Sequence, residues 1–151
     1  MSEPREDGPA PFAMAPHMIC NDAHAAIDFY ERAFGATNPV RLTDKAGTLL
    51  HGSVTINGAA IMLAEAHPEW DTRSPKELKG TPVTIHLCVD NADAWINRAE
   101  AAGAKVVMPA ADMFWGDRYG VIEDPFGHRW SLSHRLREMT PAEMQAAFDA
   151  L

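Results

Sequence analysis

At 151 residues, 46% hydrophobic and 23% charged, the chain has the size and composition of one globular domain with a real core. A formal charge of −8 disfavours nucleic acid, whose phosphates need a basic face, and favours a cationic small molecule in any cleft the acids line. The longest uninterrupted apolar run, Ala59 to Ala64, falls far short of the roughly 18 residues needed to cross a bilayer, so no membrane partner is expected.

The opening MSEPREDGPAPF is polar, acidic and proline-rich, unlike a secretory signal. Residues 1–12 are expected to form a disordered tail, and the protein to be cytoplasmic. Cys20 and Cys88 are then expected as buried thiols rather than a disulfide. Asp22 predicts the cap of a helix over Ala23 to Phe34, with Ala26, Ile27, Tyr30 and Phe34 at helical spacing and Gly35 closing it. Strands follow at Val40 to Thr43, Thr48 to Ile56 and Ala59 to Glu65, the last two joined by Asn57-Gly58, the strongest two-residue hairpin signal. His67 to Thr81 is polar, carries two prolines and reads as a linker.

The pattern then begins again. An offset of 68 superposes Cys20 on Cys88, Asp22 on Asp90, and Gly35-Ala36 on Gly103-Ala104; with one residue of slack, Gly58 falls on Gly127 and Leu63 on Leu132. The chain is therefore two tandem β-α-β-β-β modules, residues 13–66 and 82–137, of α+β class. Each helix covers one face of its strands and leaves the other free, so a curved mixed sheet around a cavity is expected. Thr140 to Glu143 is a capping box with proline at the first helical position, which starts a C-terminal helix within residues 138–151.

Asp112 to His134 carries the site expectations. A turn at Asp124-Pro125-Phe126-Gly127 separates two strand-like runs, and Phe114, Trp115, Tyr119 and Trp130 lie close in sequence to Asp117 and Arg118. Asp112 to Arg118 is expected to be a loop hinged at Gly116 that closes over the cavity, with Trp115 as its apolar plug and Asp117 or Arg118 as the polar contact. His17 and His86 occupy matched positions in the first strands of the two modules. The candidate ligand-binding residues are thus His17, His86, Trp115, Asp117, Arg118, Tyr119, Glu123 and Trp130. No G-x-S-x-G, P-loop or dinucleotide-binding fingerprint is present.

With AAIDFYERAFGA in the first helix and EDPFGHRWSL in the last hairpin, the chain resembles the vicinal-oxygen-chelate superfamily, which includes glyoxalase I, bleomycin-resistance proteins and extradiol dioxygenases. FWGDRYGVIEDPFGHRWSLSH and TPVTIHLCVD are similar to its PhnB-like branch. The resemblance implies a metal held by one residue from the first and one from the last strand of each module. Registered on this chain, those positions are Ala15, Met62, Thr84 and Ser131, and none is a competent ligand for a divalent ion. No cofactor is expected there. A two-residue slip keeps the strand face and brings in His17 and His86, which with Glu65 or Glu123 offer an alternative divalent-metal site; Glu65 is out of phase with Met62 and expected to face away.

Two functions follow. One is a bleomycin-resistance-like protein that binds a small, aromatic or cationic molecule in the cavity; the other is a metal-dependent lyase, isomerase or dioxygenase with a non-standard metal site. The resemblance also implies a homodimer, in which strands of two chains complete the cavity.

Overall fold

A computed structural model describes residues 14–151, and the expected tail at 1–12 lies outside the described residues. The first module is β1 (His17–Cys20), α1 (Ala23–Phe34), β2 (Thr37–Thr43), β3 (Leu49–Ile56) and β4 (Ala59–Glu65). The linker holds a single 3-10 turn, Pro68–Trp70, and a short helix, α2 (Pro75–Leu78), neither of which its composition signals. The second module is β5 (Thr84–Cys88), α3 (Ala92–Ala102), β6 (Lys105–Asp112), β7 (Asp117–Glu123) and β8 (Arg129–Arg135), followed by α4 (Pro141–Asp149).

Local chemistry sets the ends of α1. The Asp22 carboxylate accepts from the Ala25 amide, and Gly35 takes the left-handed conformation at φ 62°, its amide donating to the Glu31 carbonyl. At the hairpin tip, Asn57 and Gly58 both have positive φ, as its tight two-residue turn requires. In the second module the cap is Asn91, which accepts from the Ala94 amide; Asp90 instead accepts from the Trp95 indole. The helix there is one residue shorter, 11 against 12, so the repeat offset is 69 before the helix and 68 just after it, returning to 69 at the last hairpin. That shift corrects the pairing of the cysteines. Cys20 is buried under α1, whereas Cys88 is exposed on the opposite face of its sheet; both are free thiols. Burial above all, then the carboxylates of Asp124, Glu65 and Asp22, pushes the Cys20 thiol well above its ordinary range.

The strands form two four-stranded mixed sheets, ordered β1-β4-β3-β2 and β5-β8-β7-β6, with the first pair of each parallel. Each module thus has its own four-stranded sheet, as the repeat predicts, and the sheets are not closed into a barrel. Each ends on a strand with a proline at a register shift, Pro39 in β2 and Pro109 in β6, which blunts that edge against further pairing. α1 packs on the first sheet, α3 on the second, and the helices on one another. Ile27 and Ile96 fill the same place in each module, over Gly52 and Gly120 respectively. A fully buried side chain such as Ile27, Leu63 or Leu132 contributes about 1.5–3 kcal/mol.

The modules are joined by polar contacts as well as by this core. Tyr30 on α1 donates to Asp124 at 2.5 Å, Arg98 on α3 donates to the Arg32 carbonyl that ends α1 at 2.8 Å, and the Asn57 amide donates to the Cys88 carbonyl at 2.6 Å. The linker is pinned too: Ser74 is fully buried and caps α2, and Pro75 packs against the turn glycine Gly127.

Candidate functional site

Alternation along the strands divides the second sheet into a helix side and an open side. Ile85, Leu87, Gly120, Ile122, Trp130 and Leu132 face α3 and the core. His86 pairs with Ser131, Tyr119 with Ser133 and Val121 with Ser131, and these residues share the open face with Cys88, Asp117 and Glu123. On it, the His86 Nδ1 lies 2.7 Å from the Ser131 hydroxyl and Nε2 lies 3.1 Å from that of Ser133. Because a hydroxyl can donate or accept, the pair satisfies either neutral tautomer and fixes the ring. The ring stacks on Tyr119 at 6.0 Å, Tyr119 meets Trp115 edge-on at 5.4 Å, and Trp115 meets Phe114, which contacts Phe148 of α4. A file of aromatic rings therefore runs from the C-terminal helix to His86. Asp117 accepts from the Trp115 indole at 3.2 Å and pairs loosely with Arg135, while Glu123 pairs loosely with Arg129. A small cleft of about 230 Å³ opens beside this file, lined by Cys88, Asp117, Ser133 and Arg135 among others.

Three expectations need correction. Trp130 is on the helix side, completely buried, with its indole donating to Asp124 at 2.9 Å. Its phase with Leu132 was the available signal. Arg118 also faces the helix side: it bridges Asp93 in the first turn of α3 and Asp112 at the end of β6. Asp112 to Arg118 is no hinged loop, since Asp112 ends β6 and Asp117 and Arg118 begin β7. Met113 to Gly116 closes a tight β6–β7 turn, with the Met113 amide bonded to the Asp117 carbonyl and the Gly116 carbonyl accepting from both Leu136 and Arg137.

Hydrogen bonding to Arg118 holds the Asp93 carboxyl below its usual range. A carboxyl lowered in the folded state stabilises above its ordinary value of about 4, and that contribution is lost as pH falls through the folded value. Asp93→Asn is therefore expected to shrink the drop in melting temperature between pH 7 and pH 3; an unchanged drop would remove this pair from the acid response.

The open face of the first sheet is more apolar. His17 pairs with Met62, and its ring lies 6.1 Å from that of His51; Val40 and Leu42 of β2 complete the face beside Ser53 and His51. The same register corrects the ligand positions by two residues: His17 stands beside Met62 and His86 beside Ser131, while Thr84 pairs with Arg129 and Ala15 precedes β1. His17 and His86 belong to different sheets, and among the described residues no three His, Cys, Asp or Glu side chains form a group that could hold an ion. Glu65 is used otherwise, accepting from the Ala23 amide at 2.7 Å to cap α1, and His134 plays the same part for α3 by accepting from Ala92 at 2.8 Å. Nothing in the sequence beyond the alternation of Ser131 and Ser133 signals the serine pair around His86.

Comparison with known proteins agrees with this architecture. A family model described as the Glyoxalase/Bleomycin resistance protein/Dioxygenase superfamily matches residues 12–132. The chain belongs to this superfamily. This superfamily member is 46% identical over 141 residues to an uncharacterized protein of Mycobacterium bovis, covering 91% of this chain and 93% of that one. It is 31% identical over 115 residues to the anthracycline biosynthesis protein DnrV of Streptomyces peucetius, covering 70% of this chain but only 40% of DnrV. Among solved structures it is similar to TioX from a Micromonospora species, with a TM-score of 0.63 and 25% identity over 82% of this chain and 98% of TioX. It also shares its fold with a PhnB protein of Bacillus cereus, with a TM-score of 0.58 and 18% identity over 82% of this chain and 99% of that one. No helix of the described residues is long and apolar enough to cross a membrane.

Proposed function

We propose that this protein is a cytoplasmic binding protein that holds a small, flat aromatic or cationic molecule against the open face of its second sheet. The observation that carries this reading is the file of rings, Phe114, Trp115, Tyr119 and His86, flanked by the carboxylates of Asp117 and Glu123. Aromatic faces attract a cation through their quadrupoles and stack on flat rings, and loosely paired carboxylates add charge without blocking the face. The relative named for anthracycline biosynthesis, a class of fused-ring molecules, supports the same chemistry. Acriflavine, a planar aromatic cation, is the probe. Trp115→Ala is expected to weaken its binding about tenfold, equivalent to about 1.4 kcal/mol, with little change in melting temperature. Unchanged acriflavine affinity in Trp115→Ala and in Asp117→Asn would overturn the proposal.

The homodimer belongs to the same proposal. Val40 and Leu42 are 52% and 59% exposed on the open face of the first sheet, an apolar surface that a second copy would cover with its ring-bearing face. Leu42→Asp is expected to convert a dimer into a monomer by light scattering at micromolar concentration. A parent protein that is already monomeric there would refute the dimer and leave the ring file to be judged by acriflavine alone.

A further inference from the structure

A second cleft lies away from the ring file. It measures about 570 Å³ and runs between β1 and β5, with α2 and the residues after it along one side. That is the volume of a site for a drug-sized molecule. Its walls are apolar: Ile19 from β1, Pro75 and Leu78 from α2, Val83 and Ile85 at β5. Leu78 and Val83 are 58% and 62% exposed, so the apolar lining is open to solvent.

The charge of the lining is opposite to that of the chain. In a protein of net charge −8, the described residues that line this cleft include Arg73, Arg129, His17 and His128 but no Asp or Glu. The carboxylates that meet the two arginines stand outside the lining and hold them weakly, Asp71 at 3.5 Å from Arg73 and Glu123 at 3.9 Å from Arg129. Such exposed pairs contribute little and yield readily to another anion. His128 has its Nε2 proton directed at the Ile19 carbonyl at 2.9 Å, so it ties the two modules together at the cleft.

We propose that this cleft is a second binding site, for an apolar molecule that carries one anionic group such as the carboxylate of a long-chain organic acid. The chain of the ligand lies along Ile19, Leu78, Val83 and Ile85, and its anion meets the guanidinium groups of Arg73 and Arg129, which suit a carboxylate geometrically. This site shares neither Trp115 nor Tyr119 with the ring file and asks for the opposite charge, so it stands or falls separately from the function proposed above.

The test uses the full chain and the fluorescent apolar anion 8-anilinonaphthalene-1-sulfonate. Saturable binding at one site is expected, displaced by dodecanoate and at least tenfold less well by dodecyltrimethylammonium. The double variant Arg73→Gln/Arg129→Gln should bind dodecanoate about tenfold more weakly while keeping its melting temperature, and Val83→Asp should weaken both anions. Equal displacement by the two surfactants would reduce the cleft to an apolar surface and overturn the proposal. So would probe binding that falls as protein concentration rises through a dimerisation range, because a second copy would then be the occupant.

Discussion

Asp124→Ala is expected to lower stability by about 4 kcal/mol. The Asp124 carboxylate is buried and fully used: it accepts from the Tyr30 hydroxyl at 2.5 Å, the Trp130 indole at 2.9 Å and the amides of Phe126 and His128 at 2.9 and 3.0 Å. Alanine leaves two buried side-chain donors without an acceptor, each costing about 1–3 kcal/mol, and unties the turn as well. In the parent protein burial, followed by the Asp124 charge, pushes the Tyr30 hydroxyl well above its ordinary range, so it stays protonated and donates to Asp124. At about 2–4 °C per kcal/mol for a chain of this size, the melting temperature should fall by about 8–16 °C. Asp124→Asn should cost roughly half as much, since one amide oxygen still accepts but the amide nitrogen faces donors. Urea unfolding of the three proteins measures this; a loss below about 1 kcal/mol in the alanine variant would show that water or a shifted turn replaces the carboxylate. The consequence is architectural, because Tyr30 belongs to the first module and Asp124 and Trp130 to the second.

Gly120→Val should be nearly as damaging, at about 3 kcal/mol. A Cβ at this position in β7 would stand 2.5 Å from Cδ1 of Ile96 and 3.0 Å from both the Ala110 nitrogen and the Met108 oxygen. The isoleucine tip can turn away, but the two backbone atoms belong to β6 beside its bulge and cannot retreat without loss of pairing. Overpacking of this kind costs about 1–3 kcal/mol, occasionally more, and valine adds two methyl groups to the single carbon that already fails to fit. The equivalent place in the first module is looser: a Cβ at Gly52 would stand 3.0 Å from the Ile27 tip and 3.2 Å from the Val40 carbonyl, so Gly52→Ala should cost less. The urea midpoints should therefore fall in the order parent, Gly52→Ala, Gly120→Val. A Gly120→Val protein as stable as its parent would show that the bulge of β6 absorbs the added volume.

The sequence by itself determined whatever depends on neighbours along the chain. Asp22 and Gly35 bound α1, Asn57-Gly58 bends the first hairpin and Thr140 to Glu143 opens α4, because caps and turns are chemistry among residues a few positions apart. The repeat of these signals was enough for two β-α-β-β-β modules and for the family. Of the residues proposed from the sequence, His86, Asp117, Tyr119 and Glu123 share one face of the second sheet, with Trp115 packed on Tyr119 from the turn, since alternation places residues relative to one another within a strand and its neighbour. Only the tertiary structure decided which face that is. Cys88 stands one residue out of step with Cys20 in the equivalent strand and so points outward where Cys20 points inward, a difference that an offset read from matching letters conceals. Trp130 looks like a site aromatic until Asp124 and Tyr30, the latter 94 positions away from Asp124 in sequence, claim it for the core, and Arg118 looks like a ligand contact until Asp93 takes its guanidinium. Those partners arrive from another module or another element, and no local pattern specifies their approach. The charge of the cleft between β1 and β5 has the same origin, because Arg73 and Arg129 meet there only once the linker has folded back against Gly127.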